Sequence, residues 1–200
     1  VARWSLAEYK RWLWWFLRVA SLNTERALVE VDQNSIVEFY MAIAVGDKIP
    51  DLNVAVTIGD KTESASSADL LGSGKVVLFA VPGAFTPTCS DYHLPGFVIR
   101  AEDIKAKNVG KIACISVNDS FVMGAWGKSQ NVGDEVIMIA DGNGDFTKAV
   151  GLELDGRGFG MGIRSQRYAM IIEDGIVTSL EVEPGGGLDV SSAEAILAKL

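Results

Sequence analysis

The sequence predicts an α/β protein, because short apolar segments of strand length alternate with segments of helical apolar spacing. Residues 76–81 are an unbroken, β-branched apolar run, typical of a strand buried on both faces. Residues 91–107 carry apolar side chains three and four positions apart, which indicates a helix. Residues 168–173 and 176–183 are β-prone runs joined by Asp174-Gly175, a strong hairpin signal. Together these patterns indicate a central mixed β-sheet flanked by helices.

The remaining elements are predicted in chain order. Further strands are expected at residues 54–58, 111–117 and 136–140, and further helices at residues 120–130 and 146–152. Ser191 and Glu194 have the spacing of a capping box, which predicts that a terminal helix begins there. A βαβ portion followed by a hairpin and a helix is the order of a thioredoxin-like fold.

A change in composition divides the chain near residue 40. All 21 glycines and all five prolines follow Val45, whereas four of the five tryptophans lie within the first 15 residues. We therefore expect an N-terminal extension at residues 1–40 and one domain at residues 41–200, a length that can bury a substantial core.

The extension leaves several interpretations open. Residues 12–17 are aromatic and apolar and are flanked by Lys10, Arg11 and Arg18. This run is too short to span a bilayer, and no clear small-residue cleavage site follows it. The alternatives are an over-long gene assignment or added leader, an amphipathic interfacial helix or transit-like segment, and a secretory signal. No membrane association is expected for residues 41–200.

Charge and cysteine content exclude several classes of function. The net charge is −8 and no cluster of Lys and Arg is present, so we expect no nucleic acid partner. One histidine and two distant cysteines make no zinc site, and we expect no metal. Two cysteines form no disulfide framework, which favours a reducing compartment and a cytoplasmic location.

The segment that begins at Val81 carries the chemistry. Thr86 can cap a helix, Pro87 suits its first position, and Cys89 then falls in the first turn. Unpaired backbone N–H groups and the positive end of the helix dipole favour the thiolate over the thiol there. The pattern therefore predicts that Cys89 is a nucleophile.

Pro82, Thr86 and Cys89 are spaced as PxxxTxxC and are followed by the motif HLPGF, and this segment resembles the active site of a type II peroxiredoxin. Three further blocks are similar to that family, at residues 114–126, 140–144 and 164–170, and the resemblance covers roughly residues 41–200. It implies a thiol-dependent peroxidase that reduces hydrogen peroxide and organic hydroperoxides through a Cys89 sulfenic acid.

The same resemblance implies the other roles at the site. The Thr86 hydroxyl would bind both the sulfur and a peroxide oxygen, and the Arg167 guanidinium would stabilise the thiolate and hold the peroxide. Pro82 would shield the pocket from water. Arg164, three residues before Arg167, is a candidate supporting partner or a surface charge.

The second cysteine is not expected to complete the catalytic cycle. Cys114 lies in an apolar strand, where a buried thiol is inert. We therefore expect glutathione, glutaredoxin or thioredoxin to reduce Cys89, with glutathione as a thiol co-substrate and no bound cofactor.

Other residues leave alternatives open. His93 is expected either to act as a base or to make a structural hydrogen bond at the rim of the site or at a dimer contact. Phe85, Phe121 and Trp126 are either part of a homodimer contact, by family resemblance, or ordinary core residues. The alternative to the enzyme is a non-catalytic redox sensor or interaction module that is switched by Cys89 oxidation.

Overall fold

Seven strands form one mixed sheet in the computed structural model, which describes residues 42–59 and 61–200. The predictions for residues 1–40 lie outside these residues. The sheet has the order β2-β1-β5-β4-β3-β8-β9, and β6 and β7 form a separate two-stranded sheet. The strands are β1 (Asn53–Ile58), β2 (Lys61–Ser66), β3 (Lys75–Ala80), β4 (Val109–Ser116), β5 (Ile137–Ala140), β6 (Glu153–Asp155), β7 (Ile163–Ser165), β8 (Tyr168–Glu173) and β9 (Ile176–Val182).

The central strands are apolar on both faces because both faces of the sheet are covered. Strand β3 pairs in parallel with β4 and antiparallel with β8. Its side chains alternate between two buried clusters: Val77 and Phe79 pack with Cys89, and Val76 and Leu78 pack on the other face. The predicted strands at residues 54–58, 76–81, 111–117 and 136–140 are all confirmed to within two residues.

Among residues 42–59 and 61–200, six short α-helices flank the sheet, together with a π-helical turn and a 3₁₀ turn. The α-helices are α1 (Ser67–Leu71), α2 (Leu94–Ile99), α3 (Ala101–Lys105), α4 (Ser120–Ser129), α5 (Asp145–Ala149) and α6 (Ala193–Leu197); the π turn is Cys89–His93 and the 3₁₀ turn is Arg157–Phe159. The predicted helices at residues 120–130 and 146–152 correspond to α4 and α5.

The continuous α-helix predicted for residues 91–107 is wrong. The backbone is π-helical through the π turn, where the Leu94 N–H donates to the Cys89 carbonyl. Pro95 has no N–H to donate to the carbonyl four residues earlier, which favours the wider register. The helix is then interrupted at Arg100 (φ −94°, ψ 6°) between α2 and α3.

The predicted hairpin is confirmed, and its turn has the expected chemistry. Asp174 and Gly175 both have positive φ, at 48° and 82°, as a type I′ turn requires. The terminal helix is also present, but its cap is Ser192, whose Oγ accepts from the Ala195 N–H at 3.2 Å. The prediction that Ser191 caps the helix was therefore wrong by one residue. The Ser191 hydroxyl donates to the Glu183 carboxylate instead.

Several elements have no apolar pattern and were not predicted. Strand β2 is an edge strand of mostly exposed polar residues, and β6 and β7 have three residues each in a glycine-rich region. Within the described part of the chain, no helix has the length and apolar content needed to cross a membrane.

Candidate active site

The site lies where β3 and β4 end side by side. The chain after β3 forms a loop at residues 82–86, and the Ala84 N–H donates to Asn118 Oδ1 at 3.0 Å. Ser116 Oγ, at the end of β4, lies 2.9 Å from the same Asn118 oxygen and 3.1 Å from the Val81 carbonyl oxygen. Parallel strands bring their carboxyl ends to one edge of a sheet, and these bonds fix the loop there.

Cys89 lies directly behind this loop and is fully buried. Helical backbone begins at Pro87, and the Ser90 N–H donates to the Thr86 carbonyl at 2.9 Å. The neighbouring Ser90 Oγ accepts from the indole N–H of Trp126 at 3.0 Å. The cysteine thus occupies a first helical turn that is anchored to α4.

Arg167 reaches the sulfur from the neighbouring strand. It precedes Tyr168, which pairs with Ala80 at the end of β3. Its side chain is buried, and Nη1 lies 3.4 Å from Cys89 Sγ. Among the described residues Arg167 forms no ion pair with a carboxylate. Because an arginine stays protonated, the sulfur is the group in contact that can supply the opposite charge.

His93 holds the other side of the same arginine. Its Nδ1 lies 3.0 Å from Arg167 Nη1, and its Nε2 lies 3.0 Å from the Ser191 carbonyl oxygen. A guanidinium only donates and a carbonyl only accepts, so Nδ1 accepts and Nε2 carries the proton. Burial and then the charge of Arg167 lower the pKa of His93 to about 3. The imidazole is neutral, and its lone pair is occupied.

Thr86 and Pro82 belong to the chain segment just before the cysteine. The Thr86 hydroxyl donates to the Gly83 carbonyl at 2.8 Å, so its lone pairs remain as acceptors toward a bound molecule. Pro82 is half-buried and follows β3 closely. The arrangement joins a nucleophilic sulfur, a fixed cation and a hydroxyl acceptor, which is the combination that an oxygen–oxygen bond cleavage requires.

Comparison with known proteins supports the family resemblance seen in the sequence. The Redoxin family profile matches residues 44–197. The chain is 50% identical over 165 residues to Peroxiredoxin-2E, chloroplastic, of Arabidopsis thaliana, which covers 80% of this chain and 70% of that protein. It is 49% identical over 159 residues to Peroxiredoxin-2B of the same plant, which covers 79% of this chain and 98% of that protein. The chain is a peroxiredoxin.

Solved structures agree with this assignment. The crystal structure of reduced Prx3 in complex with H₂O₂ from Vibrio vulnificus has a TM-score of 0.74 and 52% identity, and the match covers 78% of this chain and 98% of that one. This peroxiredoxin therefore has the thioredoxin-like fold and belongs to the type II subgroup. It is a thiol-dependent peroxidase that reduces hydroperoxides.

The peroxiredoxin fold brings most of the predicted site residues together. Cys89 and Arg167 are in contact, and Thr86 lies one turn before Cys89. No bond joins the Thr86 hydroxyl to the sulfur among the described residues, because that hydroxyl donates to Gly83. Arg164 does not contact the sulfur: Nε donates to the Met161 carbonyl at 2.7 Å and Nη1 to the Val117 carbonyl at 2.8 Å. It supports the loops around the peroxiredoxin site.

Sequence reasoning missed four polar residues that hold the site, namely Ser116, Asn118, Glu183 and Ser191. Ser116 and Asn118 follow a buried strand, and polar side chains at such a strand end are the signal that could have found them. No local signal identifies Glu183 or Ser191.

The aromatic side chains divide between surface and core. Phe85 and Phe121 are 56% and 87% exposed, whereas Trp126 is fully buried. Of the two alternatives left open for Trp126, the structure supports core packing.

Cys114 is buried in β4, opposite Phe79 of β3. Burial, and next the nearby charge of Cys89, raise the pKa of the Cys114 thiol well above its usual value. Both cysteines are free. A protonated, buried thiol is a poor nucleophile toward a sulfenic acid.

Proposed function

We propose that Cys89 is the peroxide-reducing cysteine and that Arg167, Thr86 and Pro82 assist it. The observation that carries this proposal is the contact between Arg167 Nη1 and Cys89 Sγ, 3.4 Å apart in a buried site. A fixed guanidinium next to a buried sulfur stabilises the thiolate, which is the nucleophilic form.

The reaction follows from these contacts. The Cys89 thiolate attacks one oxygen of the hydroperoxide, so an S–O bond forms as the O–O bond breaks. The sulfur is oxidised by two electrons to a sulfenic acid, and the second oxygen leaves as an alkoxide or hydroxide that takes up a proton. The developing negative charge lies near Arg167, whose planar fork can hold both sulfur and oxygen.

The Thr86 hydroxyl acts as a hydrogen-bond acceptor in this reaction. Because its proton is donated to the Gly83 carbonyl, the hydroxyl can accept a hydrogen bond from the O–H group of the hydroperoxide. This orients the substrate for in-line attack. Pro82 offers no backbone N–H to compete for the peroxide, and we assign it the role of limiting access of water.

We propose that an external thiol completes the cycle. The Cys89 sulfenic acid condenses with one thiol to give a mixed disulfide and water, and a second thiol displaces Cys89 and leaves as a disulfide. The burial and raised pKa of Cys114 support an external donor. Glutathione, with or without glutaredoxin, is the proposed reductant, and thioredoxin is the alternative.

We further propose that the peroxiredoxin is a homodimer. Phe85 and Phe121 are large, exposed side chains, and the bond between Ala84 and Asn118 joins the loop of Phe85 to the segment just before α4, where Phe121 lies. Covering two such side chains would stabilise a complex by removing apolar surface from water.

The proposed location is cytoplasmic, since both cysteines are free, as suits a reducing compartment. Two relatives are named chloroplastic, so an organelle is the alternative location. A fluorescent fusion to the carboxyl terminus of the whole chain is expected to fill the cytoplasm, and accumulation in an organelle would contradict the proposal.

Peroxide consumption by the whole chain tests the catalytic proposal. Cys89→Ser is expected to abolish turnover with every reductant, and unchanged turnover in that variant would disprove the assignment. Cys114→Ala is the matched control, and it is expected to keep most of its turnover. A loss equal to that of Cys89→Ser, with a trapped Cys89–Cys114 disulfide detected by mass spectrometry, would show that Cys114 resolves the sulfenic acid.

The reductants are compared in the same assay. Glutathione alone, glutathione with glutaredoxin, and thioredoxin with its reductase are supplied separately. Turnover with glutathione, faster when glutaredoxin is added, is the expected result. Turnover with thioredoxin alone would assign the alternative donor.

A further inference from the structure

Glu183 is a buried carboxylate that binds backbone instead of a cation. Its side chain is only 6% exposed, and Oε1 accepts from the Asp189 N–H at 2.7 Å and from the N–H and hydroxyl of Ser191, each at 2.8 Å. In the described residues it forms no ion pair. Burial raises the pKa of Glu183, but these three hydrogen bonds outweigh that effect and lower it. The carboxylate is thus held ionised in the interior.

This carboxylate belongs to a closed ring of hydrogen bonds that includes the active-site arginine. The Glu183 N–H donates to the Arg167 carbonyl at 2.9 Å, next to the pair formed by Tyr168 and Val182. The Glu183 carboxylate binds Ser191, the Ser191 carbonyl accepts from His93 at 3.0 Å, and His93 accepts from the Arg167 guanidinium at 3.0 Å. We call Arg167, Glu183, Ser191 and His93 the arginine ring.

The connection between β9 and α6 is fixed at few points: besides the bonds from Glu183, the N–H and hydroxyl of Ser192 donate to the Asp189 carbonyl at 3.3 Å and 2.8 Å. Residues 184–190 form no helix or strand, and Gly185, Gly186 and Gly187 are exposed. Glycine has wide conformational freedom, so a segment with three in succession does not fix its own course. The Glu183 carboxylate binds this segment at Asp189 and the chain just after it at Ser191, and so it helps to fix where the Ser191 carbonyl lies.

Arg167 in turn depends on that carbonyl. The guanidinium contacts no carboxylate among the described residues, and its Nε has no hydrogen-bond partner. Besides the sulfur, the side-chain contact that orients Nη1 is His93. His93 is oriented by Ser191, with added packing against Phe79 at 5.0 Å between ring centroids.

We propose that Glu183 is a positioning residue for Arg167, acting through Ser191 and His93 without touching the substrate. The proposal rests on the proposed role of Arg167 at Cys89. It makes the glycine-rich segment before α6 part of the support of the active site, although that segment lies about a hundred residues from Cys89 in sequence.

The test compares Glu183→Ala with Glu181→Ala in the whole chain. Glu181 lies two residues earlier and its carboxylate pairs with Lys199 near the end of the chain at 2.9 Å. Its removal loosens the C-terminal region without touching the arginine ring. The two rate constants to measure are those of Cys89 with hydrogen peroxide and, separately, with iodoacetamide, which needs a thiolate but no arginine to hold a peroxide oxygen. Glu183→Ala is expected to slow the peroxide reaction about 10-fold and to lower the ratio of the two rate constants.

The outcomes distinguish a specific effect on the position of Arg167 from a general loosening of the C-terminal region. Glu181→Ala is expected to keep both rate constants within about twofold of the wild type. A faster reaction with iodoacetamide in Glu183→Ala, with an unchanged peroxide rate, would mean that the residue only keeps Cys89 covered, and would overturn the proposal. An equal loss of peroxide rate in Glu181→Ala would also overturn it.

Two further variants keep the proposal testable if Glu183→Ala does not fold. Ser191→Ala removes the hydroxyl bond alone and is expected to slow the peroxide reaction about twofold to threefold; a wild-type rate would overturn the proposal. In an Arg167→Ala background, Ser191→Ala is expected to have no further effect, and an undiminished effect would overturn it as well. Turnover that persists in Cys89→Ser would instead refute the proposed function.

Discussion

The Nδ1 atom of His93 lies 3.0 Å from Nη1 of Arg167, and this contact requires the imidazole to accept. A protonated imidazole has no lone pair, so a histidinium next to the guanidinium would lose the bond and add repulsion between like charges. The only histidine of the chain therefore supports the arginine, and its lone pair is not free to take a proton from Cys89.

Arg167→Lys is expected to slow the reaction of Cys89 with hydrogen peroxide about 100-fold. Lysine keeps the charge but has a single nitrogen in place of the planar guanidinium, whose Nη1 contacts both His93 and the sulfur. Stopped-flow kinetics measures the rate constant. Arg157→Lys is the control, because that exposed arginine pairs with Asp155, and its rate should equal the wild-type rate. A rate for Arg167→Lys within a few-fold of wild type would show that charge alone suffices.

Two replacements of His93 distinguish its two contacts. Asn places an amide oxygen where Nδ1 lies and keeps an acceptor for Arg167, whereas Gln places an amide nitrogen near Nε2 and keeps a donor to the Ser191 carbonyl. If the contact with Arg167 matters more, the rate constant of His93→Asn with peroxide should be at least about three times that of His93→Gln. The reverse order would assign the main role to the Ser191 contact.

The neutral state of His93 also makes folding stability depend on pH. Its pKa is about 3 in the folded protein and about 6.5 when the chain is unfolded. Between these values the unfolded state binds more protons, so stability falls as the pH is lowered through this window. From pH 7 to pH 5 the loss due to His93 is about 2 kcal/mol.

Urea unfolding at both pH values measures this loss. His93→Gln has no imidazole to protonate, so its stability should change less over the same range, by about 2 kcal/mol. An identical pH dependence in the wild type and in this variant would show that the pKa of His93 is the same in the folded and unfolded protein.

The proposed pair of Cys89 and Arg167 was predictable in two ways, because the signal at Cys89 is local and the family resemblance implied Arg167. Cys89 stands in a proline-threonine segment at the end of a buried strand, and Arg167 immediately precedes the strand that pairs with it. The strands were predictable for a similar reason: continuous apolar runs form central strands when both faces of the sheet are covered.

The support of the pair was not predictable, because it depends on distant contacts. His93 and Ser191 are 98 positions apart, and no pattern at either residue reports the other. The capping-box spacing suggested a different role for Ser191, but its hydroxyl donates to Glu183 and Ser192 caps the helix. The π turn depends on Cys89, Leu94 and Pro95 together, and helical periodicity alone does not predict it.

Phe121→Asp is expected to weaken the proposed homodimer at least about 10-fold in dissociation constant. Phe121 lies near the start of α4 and is 87% exposed, so a carboxylate there costs little in the monomer but is unfavourable in an apolar contact. Ile99→Asp is the matched control, because Ile99 is 77% exposed at the end of α2. Sedimentation equilibrium of the whole chain measures both variants. An intact dimer in Phe121→Asp, or equal dissociation in Ile99→Asp, would show that the contact lies elsewhere on the surface.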